Sequence, residues 1–223
     1  MIRLKAEYVN HNNFPILFGS LLIFFIGLSL FGGKDNTLLV NILIFQVFAA
    51  GIYTVSNSGK VYTAALITGV IFVLLRLAEY YFIDEKNIFV SLSTLFMVVF
   101  MGLILKNILT YLLVNKEVNT NLILGVISGY LLVGVLFSFG FALLEMISEG
   151  PTINFEGTPD FKDILYFTMV TQTTIGYGDY APVSDFARFL SYSLGVIGQL
   201  YMGIVTAFII GKFLQTSPAT GKD

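Results

Sequence analysis

The sequence predicts an all-α membrane protein: six transmembrane helices, with a short re-entrant helix and loop between the fifth and the sixth. Three observations carry this. Hydrophobic residues make up 56% of the 223, mean hydropathy is +0.84 and only 12% are charged, about half the charged share of soluble domains. Short charged breaks divide the chain into six long apolar runs. A seventh run, Phe161 to Thr173, is too short to cross a membrane and ends on Thr174-Ile175-Gly176-Tyr177-Gly178-Asp179.

The six long runs are Phe14–Gly32, Thr37–Val55, Val61–Ile83, Ile88–Val114, Asn121–Ile147 and Phe186–Leu214, each matching the roughly 20 residues that span a hydrocarbon core. The fourth is longer than the core requires, so its end is expected to tilt, kink or project from the membrane. Met1-Ile2-Arg3-Leu4-Lys5-Ala6-Glu7 precedes the first run without a small-residue cleavage site, which predicts an uncleaved first helix. The expected organisation is a cytoplasmic N-terminus (1–13), a four-helix transmembrane domain (14–117), a pore domain (118–214) and a short tail (215–223). An even number of spans leaves both termini on one side, here the cytoplasmic face of the cell membrane.

The short run follows Pro159-Asp160, an N-terminal signal, with Asp160 and Asp163 in the first turn where carboxylates favour the positive helix end. Thirteen residues make about 20 Å of helix, against roughly 30 Å of hydrocarbon core. A short helix followed by extended backbone at membrane depth needs shelter from protein or a water-filled cavity. The glycines at 176 and 178, separated by single residues, suit a backbone that alternates between right- and left-handed conformations.

T-I-G-Y-G-D resembles the T-V-G-Y-G-D selectivity filter of the potassium-channel family, the pore-loop tetrameric cation channels, with one β-branched residue exchanged for another at 175. The resemblance implies a potassium-selective channel, not an enzyme. Four filter strands, one per subunit of a homotetramer, present carbonyls to a central axis where they replace the water shell of K+. The implied ion-binding residues are Thr174, Ile175, Gly176, Tyr177 and Gly178, with K+ at Thr174, Ile175, Gly176 and Tyr177 and no organic cofactor. Thr174 also offers a hydroxyl, Tyr177 is expected to point away from the axis, and Asp179 to anchor the strand at the outer mouth.

The same resemblance covers the flanking segments. Asp163-Ile164-Leu165-Tyr166-Phe167 and Val170-Thr171-Gln172-Thr173-Thr174 resemble the family's pore helix. It implies filter support from Tyr166 and Phe167 as aromatic buttresses, and from Val170, where some relatives carry a carboxylate. Gln172, polar and just behind the filter strand, suggests unusual hydrogen bonding. Downstream, the uncharged stretch Phe189–Gly211 resembles the inner helix. Gly198 falls at the hinge position, between Gly195 and Gly203, and close helix packing is the alternative reading of these glycines. Gln199, Met202 and Thr206 are the expected cavity-facing side chains, and an amide facing lipid is costly.

With the filter mouth outside, the basic residues Arg3, Lys5, Lys60, Lys106, Lys116, Lys212 and Lys222 lie inside and Lys34, Arg76, Lys86, Lys162 and Arg188 outside, in line with the positive-inside rule. Among the acids only Glu7, Glu117 and Asp223 fall inside. Glu149, Glu156, Asp160, Asp163, Asp179 and Asp185 form an anionic outer vestibule that concentrates cations. Glu145 is expected to clamp the fifth helix to the pore loop.

Six spans are also the plan of voltage-gated relatives, but a voltage sensor needs several basic residues on the fourth span. Here Lys106 is its one charge, so strong voltage gating is not expected. Arg76 and Glu79 on the third span, at i and i+3, form an expected structural pair. Spans one to four are left as a packing collar, a lipid- or ligand-sensing unit or a degenerate sensor. Gating is expected in the filter, the inner helices or an unidentified gating partner.

Other classes fit less well. A less selective monovalent cation channel more often shows an altered filter. A transporter with four pore loops in one chain needs internal repeats that are absent. The single histidine, His11, precedes the first span, so a membrane Ser-His dyad has no base. Without cysteine there is no disulfide or thiolate metal site. The bilayer and a homotetramer are the expected partners, nucleic acid is not.

Overall fold

The computed structural model describes residues 14–33, 36–81, 86–115 and 118–216. Among these the chain forms seven helices and no strand: α1 (Phe14–Phe31), α2 (Thr37–Thr54), α3 (Lys60–Tyr81), α4 (Lys86–Val114), α5 (Thr120–Ile147), α6 (Phe161–Gln172) and α7 (Asp185–Thr216). Most of the expected boundaries hold within two residues; α7 passes the expected end of the pore domain by two. Helices α1, α3, α4, α5 and α7 are long and apolar enough to cross a membrane. The apolar part of α2, Leu38–Thr54, is shorter and lies at the low end of what a span needs. Much of the charge used to orient the chain, including Arg3, Lys5, Lys34, Lys116, Glu117 and Lys222, lies outside the described residues.

Helix starts are set by local chemistry. Asn119 caps α5, its side chain accepting from the Leu122 amide at 2.9 Å. Asp160 and Asp163 form a reciprocal capping box at α6. The Ser184 hydroxyl accepts from the Ala187 amide at 3.2 Å at the start of α7. Within the helices, buried hydroxyls such as Thr54, Ser128, Ser138 and Thr168 donate to the carbonyl four residues back, so they are satisfied without linking helices.

Helix α5 is the centre of the structure, packed by α1, α4, α6 and α7. In α1, Phe14, Leu17, Leu21, Phe24 and Leu28 are each at most 1% exposed; their three- and four-residue spacing makes one continuous stripe. Its ends reach different neighbours. Phe14 packs edge-on against Tyr111 of α4, with ring centroids 5.0 Å apart, while Phe24 lies 6.4 Å from Phe161, the first residue of α6. Lipid supplies no hydrophobic drive between helices, so small residues that admit close packing matter more. Gly125 of α5 is such a place: a Cβ there would lie 2.7 Å from the Phe14 ring. Rings of Phe48, Phe72 and Phe100 tie α2, α3 and α4 together. Through α1 and α4 the first four helices are seated on α5 of the same chain.

Candidate ion-conduction site

The site is built on α6. Its 12 residues measure about 18 Å, well short of a membrane crossing, and the negative end of its helix dipole faces the start of the 173–179 strand. The chain then folds back along the helix: the amides of Thr173, Thr174 and Gly176 donate to the carbonyls of Met169, Thr171 and Val170 at 3.0–3.1 Å.

Backbone handedness alternates residue by residue beyond this point. φ is +61° at Thr174, +54° at Gly176 and +81° at Gly178, with Ile175 and Tyr177 between them on the ordinary side. Such alternation is what brings successive carbonyls to one side of a strand. The glycines were legible; Thr174 was not. A left-handed β-branched residue costs about 1–2 kcal/mol, and its hydroxyl donates locally, to the Thr173 carbonyl at 2.6 Å. Residues 173–179 are all exposed in the single chain, with Tyr177 71% and Ile175 53% accessible. Over half of α5 is buried but under a fifth of α7, so the 173–179 strand and α7 are the least covered parts of this chain.

The outer end is firmly held. The Tyr166 hydroxyl donates to Asp179 Oδ2 at 2.7 Å and the Tyr180 amide donates to Asp179 Oδ1 at 3.0 Å. Glu145 does clamp α5 to the loop: its carboxylate accepts from the Thr152 amide at 3.3 Å and from the Thr152 hydroxyl. The Thr152 carbonyl in turn accepts from Val183 and Ser184 beyond the filter, and Ile153 bridges Pro182. Carboxylates converge here. Loss of solvation raises the Tyr180 phenol above its ordinary pKa, and Asp163, Asp179 and Glu156 add to the shift. Asp160 and Asp163, however, are engaged in capping α6, whereas Glu149, Glu156, Asp179 and Asp185 are exposed, Asp185 lying 3.4 Å from Arg188.

Phe167 departs from expectation. It packs edge-on against Phe141 of α5, at 5.2 Å, and is buried. Neighbouring positions on a helix point about 100° apart, and the side chain of Tyr166 reaches Asp179 instead. Val170 contributes its carbonyl, bonded to Gly176, while its side chain is buried.

Gln172 is fully buried. Its Nε2 donates to the Tyr130 carbonyl at 2.8 Å, and the Tyr130 hydroxyl donates back to the Gln172 carbonyl at 3.4 Å. Gly134 of α5 leaves the space that Met169 and the Gln172 side chain occupy. Gly198 does the same from α7: a Cβ there would lie 3.0 Å from Gln172 Cγ and 3.0 Å from its carbonyl oxygen. Packing is therefore a visible role of Gly198, whereas Gly195 and Gly203 have open space around them. Tyr130 and Tyr201 escaped the sequence reading. Their rings lie 5.9 Å apart, and the Tyr201 hydroxyl donates to the Val126 carbonyl at 2.8 Å over Gly129; the glycines at 125, 129 and 134 were the available signal.

Leu194, Gly198, Tyr201 and Val205 form the buried stripe of α7. Gln199, Met202, Gly203 and Thr206 are exposed, on a flank turned away from that stripe. On α3, the Arg76 guanidinium carbon lies 5.7 Å from the centre of the Phe72 ring; the Glu79 side chain lies outside the described residues, as does any pair between them.

Residues 127–215 match the ion channel family. The chain is 28% identical over 90 residues to potassium voltage-gated channel subfamily A member 4 of Homo sapiens (40% of this chain, 13% of that one). It is 38% identical over 80 residues to two pore potassium channel a of Oryza sativa subsp. japonica (36% and 20%). With calcium-gated potassium channel TvoK of Thermoplasma volcanium it shares 32% over 72 residues (32% and 20%). The matches span 13–20% of the length of these relatives. No solved structure matches the chain. With its apolar helices, the chain is a multi-pass membrane protein, and its residues 127–215 are similar to the ion channel family.

Proposed function

We propose that this protein is a homotetrameric channel that conducts K+ passively and selectively across the cell membrane. The observation that carries the reading is the alternation at Thr174, Gly176 and Gly178 directly after a helix too short to span. A dehydrated K+ then exchanges its water shell for carbonyls of Thr174, Ile175, Gly176 and Tyr177, four subunits supplying each ring. The Thr174 hydroxyl completes the innermost site, and Gly178 frees the outer turn. Lipid would not tolerate the exposed strand 173–179, which a four-fold axis shelters. Exposed Glu149, Glu156 and Asp179 raise the cation concentration at the mouth.

In this arrangement helices α1–α5 and α7 make six spans, α6 and the filter re-enter from outside, and both termini are cytoplasmic. Gln199, Met202 and Thr206 line the water-filled cavity, and Gly198 is the point about which α7 bends. Within the membrane-crossing part of α4, Ile88–Val114, Lys106 is the one charge, which supplies too little gating charge for steep voltage dependence.

Liposomes holding the purified full chain test this. With a potassium gradient across the membrane, the reading predicts potassium flux that external sodium does not replace. Flux supported equally by both ions would instead favour a less selective cation channel.

A further inference from the structure

Helices α4 and α7 each pack along α5 and have few contacts with each other, yet one side chain joins their inner ends. Lys212 Nζ of α7 donates to the carbonyls of Leu112 and Asn115, at the C-terminal end of α4. The last carbonyls of a helix have no partner within it, and a cation there satisfies them while meeting the negative end of the helix dipole. The ammonium also stands 4.7 Å from the centre of the Phe208 ring, one turn back on α7. The same end of α4 is held by Tyr111, which packs on Phe14 of α1 and whose hydroxyl accepts from Asn121 Nδ2 of α5 at 3.3 Å. One cap therefore gathers α1, α4, α5 and α7.

The lever arm is long. Lys212 lies fourteen residues beyond Gly198, about 21 Å along the helix, and a bend of about 10° at Gly198 would swing the ammonium by about 4 Å, enough to break both bonds. We propose that Lys212 is a positioning residue: by capping α4 it ties the inner end of α7 to the collar of α1–α4 and restrains the bending that opens the pore. The restraint gives the first four helices a hold on the conduction path that does not require charge movement in the membrane field. The opening step rests on the channel reading above; the cap itself does not.

The test uses the full chain in nanodiscs and planar bilayers, as wild type, Lys212→Met and Lys212→Arg. Methionine keeps an apolar stem and loses the donors; arginine keeps them. Hydrogen exchange over residues 109–115 is expected to be about fivefold faster in Lys212→Met and little changed in Lys212→Arg. Unchanged exchange in Lys212→Met would overturn the cap, whether or not the protein conducts. Single-channel records are expected to show open probability raised about fivefold in Lys212→Met, at unaltered unitary conductance. Faster exchange with an unchanged or lowered open probability would overturn the restraint while leaving potassium selectivity, read in the same records, standing or falling separately.

Discussion

The side-chain amide of Gln172 donates to the backbone carbonyl of Tyr130 at 2.8 Å, which fastens the C-terminal end of α6 to α5 at a point where Gly198 of α7 also touches it. Three elements that are far apart in sequence meet at one buried amide. Replacing it with leucine roughly keeps the volume and removes the bond, worth about 0.5–1.5 kcal/mol. Gln172→Leu is expected to lower thermal stability and to change open probability or the rate of current decay. Unaltered gating in bilayer recordings would remove Gln172 from the filter's support.

Gly198 is the matching test from the other side. A Cβ 3.0 Å from Gln172 Cγ and its carbonyl oxygen forces a displacement of a few tenths of an ångström, and a valine more. Gly198→Ala is expected to reduce current moderately and Gly198→Val to abolish it, with the double variant Gly198→Ala/Gln172→Ala partly restored. The comparison is made on macroscopic currents at equal protein density.

Two glycines with open space around them should respond in opposite ways. Gly140 sits inside α5 with nothing near a new Cβ, so Gly140→Ala should stabilise by up to about 1 kcal/mol. Gly178 has equal room but φ of +81°, where a side chain costs about 1–2 kcal/mol. Gly178→Ala should therefore destabilise the fold and loosen selectivity, as measured by thermal unfolding and by ionic flux.

How far the sequence was legible depends on the reach of each signal. Helix ends are set by nearby charges and caps, so Asp160, Asp163 and Ser184 stand where local chemistry put them. The need for left-handed backbone is written in Gly176 and Gly178, but not in Thr174, because β-branched residues ordinarily avoid that region and only its tertiary setting holds it there. The clamp from Glu145 was readable as a carboxylate at a helix end facing a loop. The contacts of Tyr130, Gln172 and Gly198 were not, since they depend on helix phase and on distance across three elements.

At the outer mouth, Tyr166→Phe removes the hydroxyl that donates to Asp179 and keeps the ring. The group is exposed, so the effect on overall stability should be small. The strand it anchors should lose order, and current decay under sustained stimulation should quicken. Decay identical to wild type would show that Tyr180 alone suffices to hold Asp179.

Conduction through the alternating strand is most directly tested by the reversal potential of the purified protein in a planar bilayer with potassium on one side and sodium on the other. A selective filter displaces that potential far toward the potassium equilibrium value, and the sparse charge on α4 gives no steep activation when the voltage is stepped. A reversal potential near zero would contradict potassium selectivity.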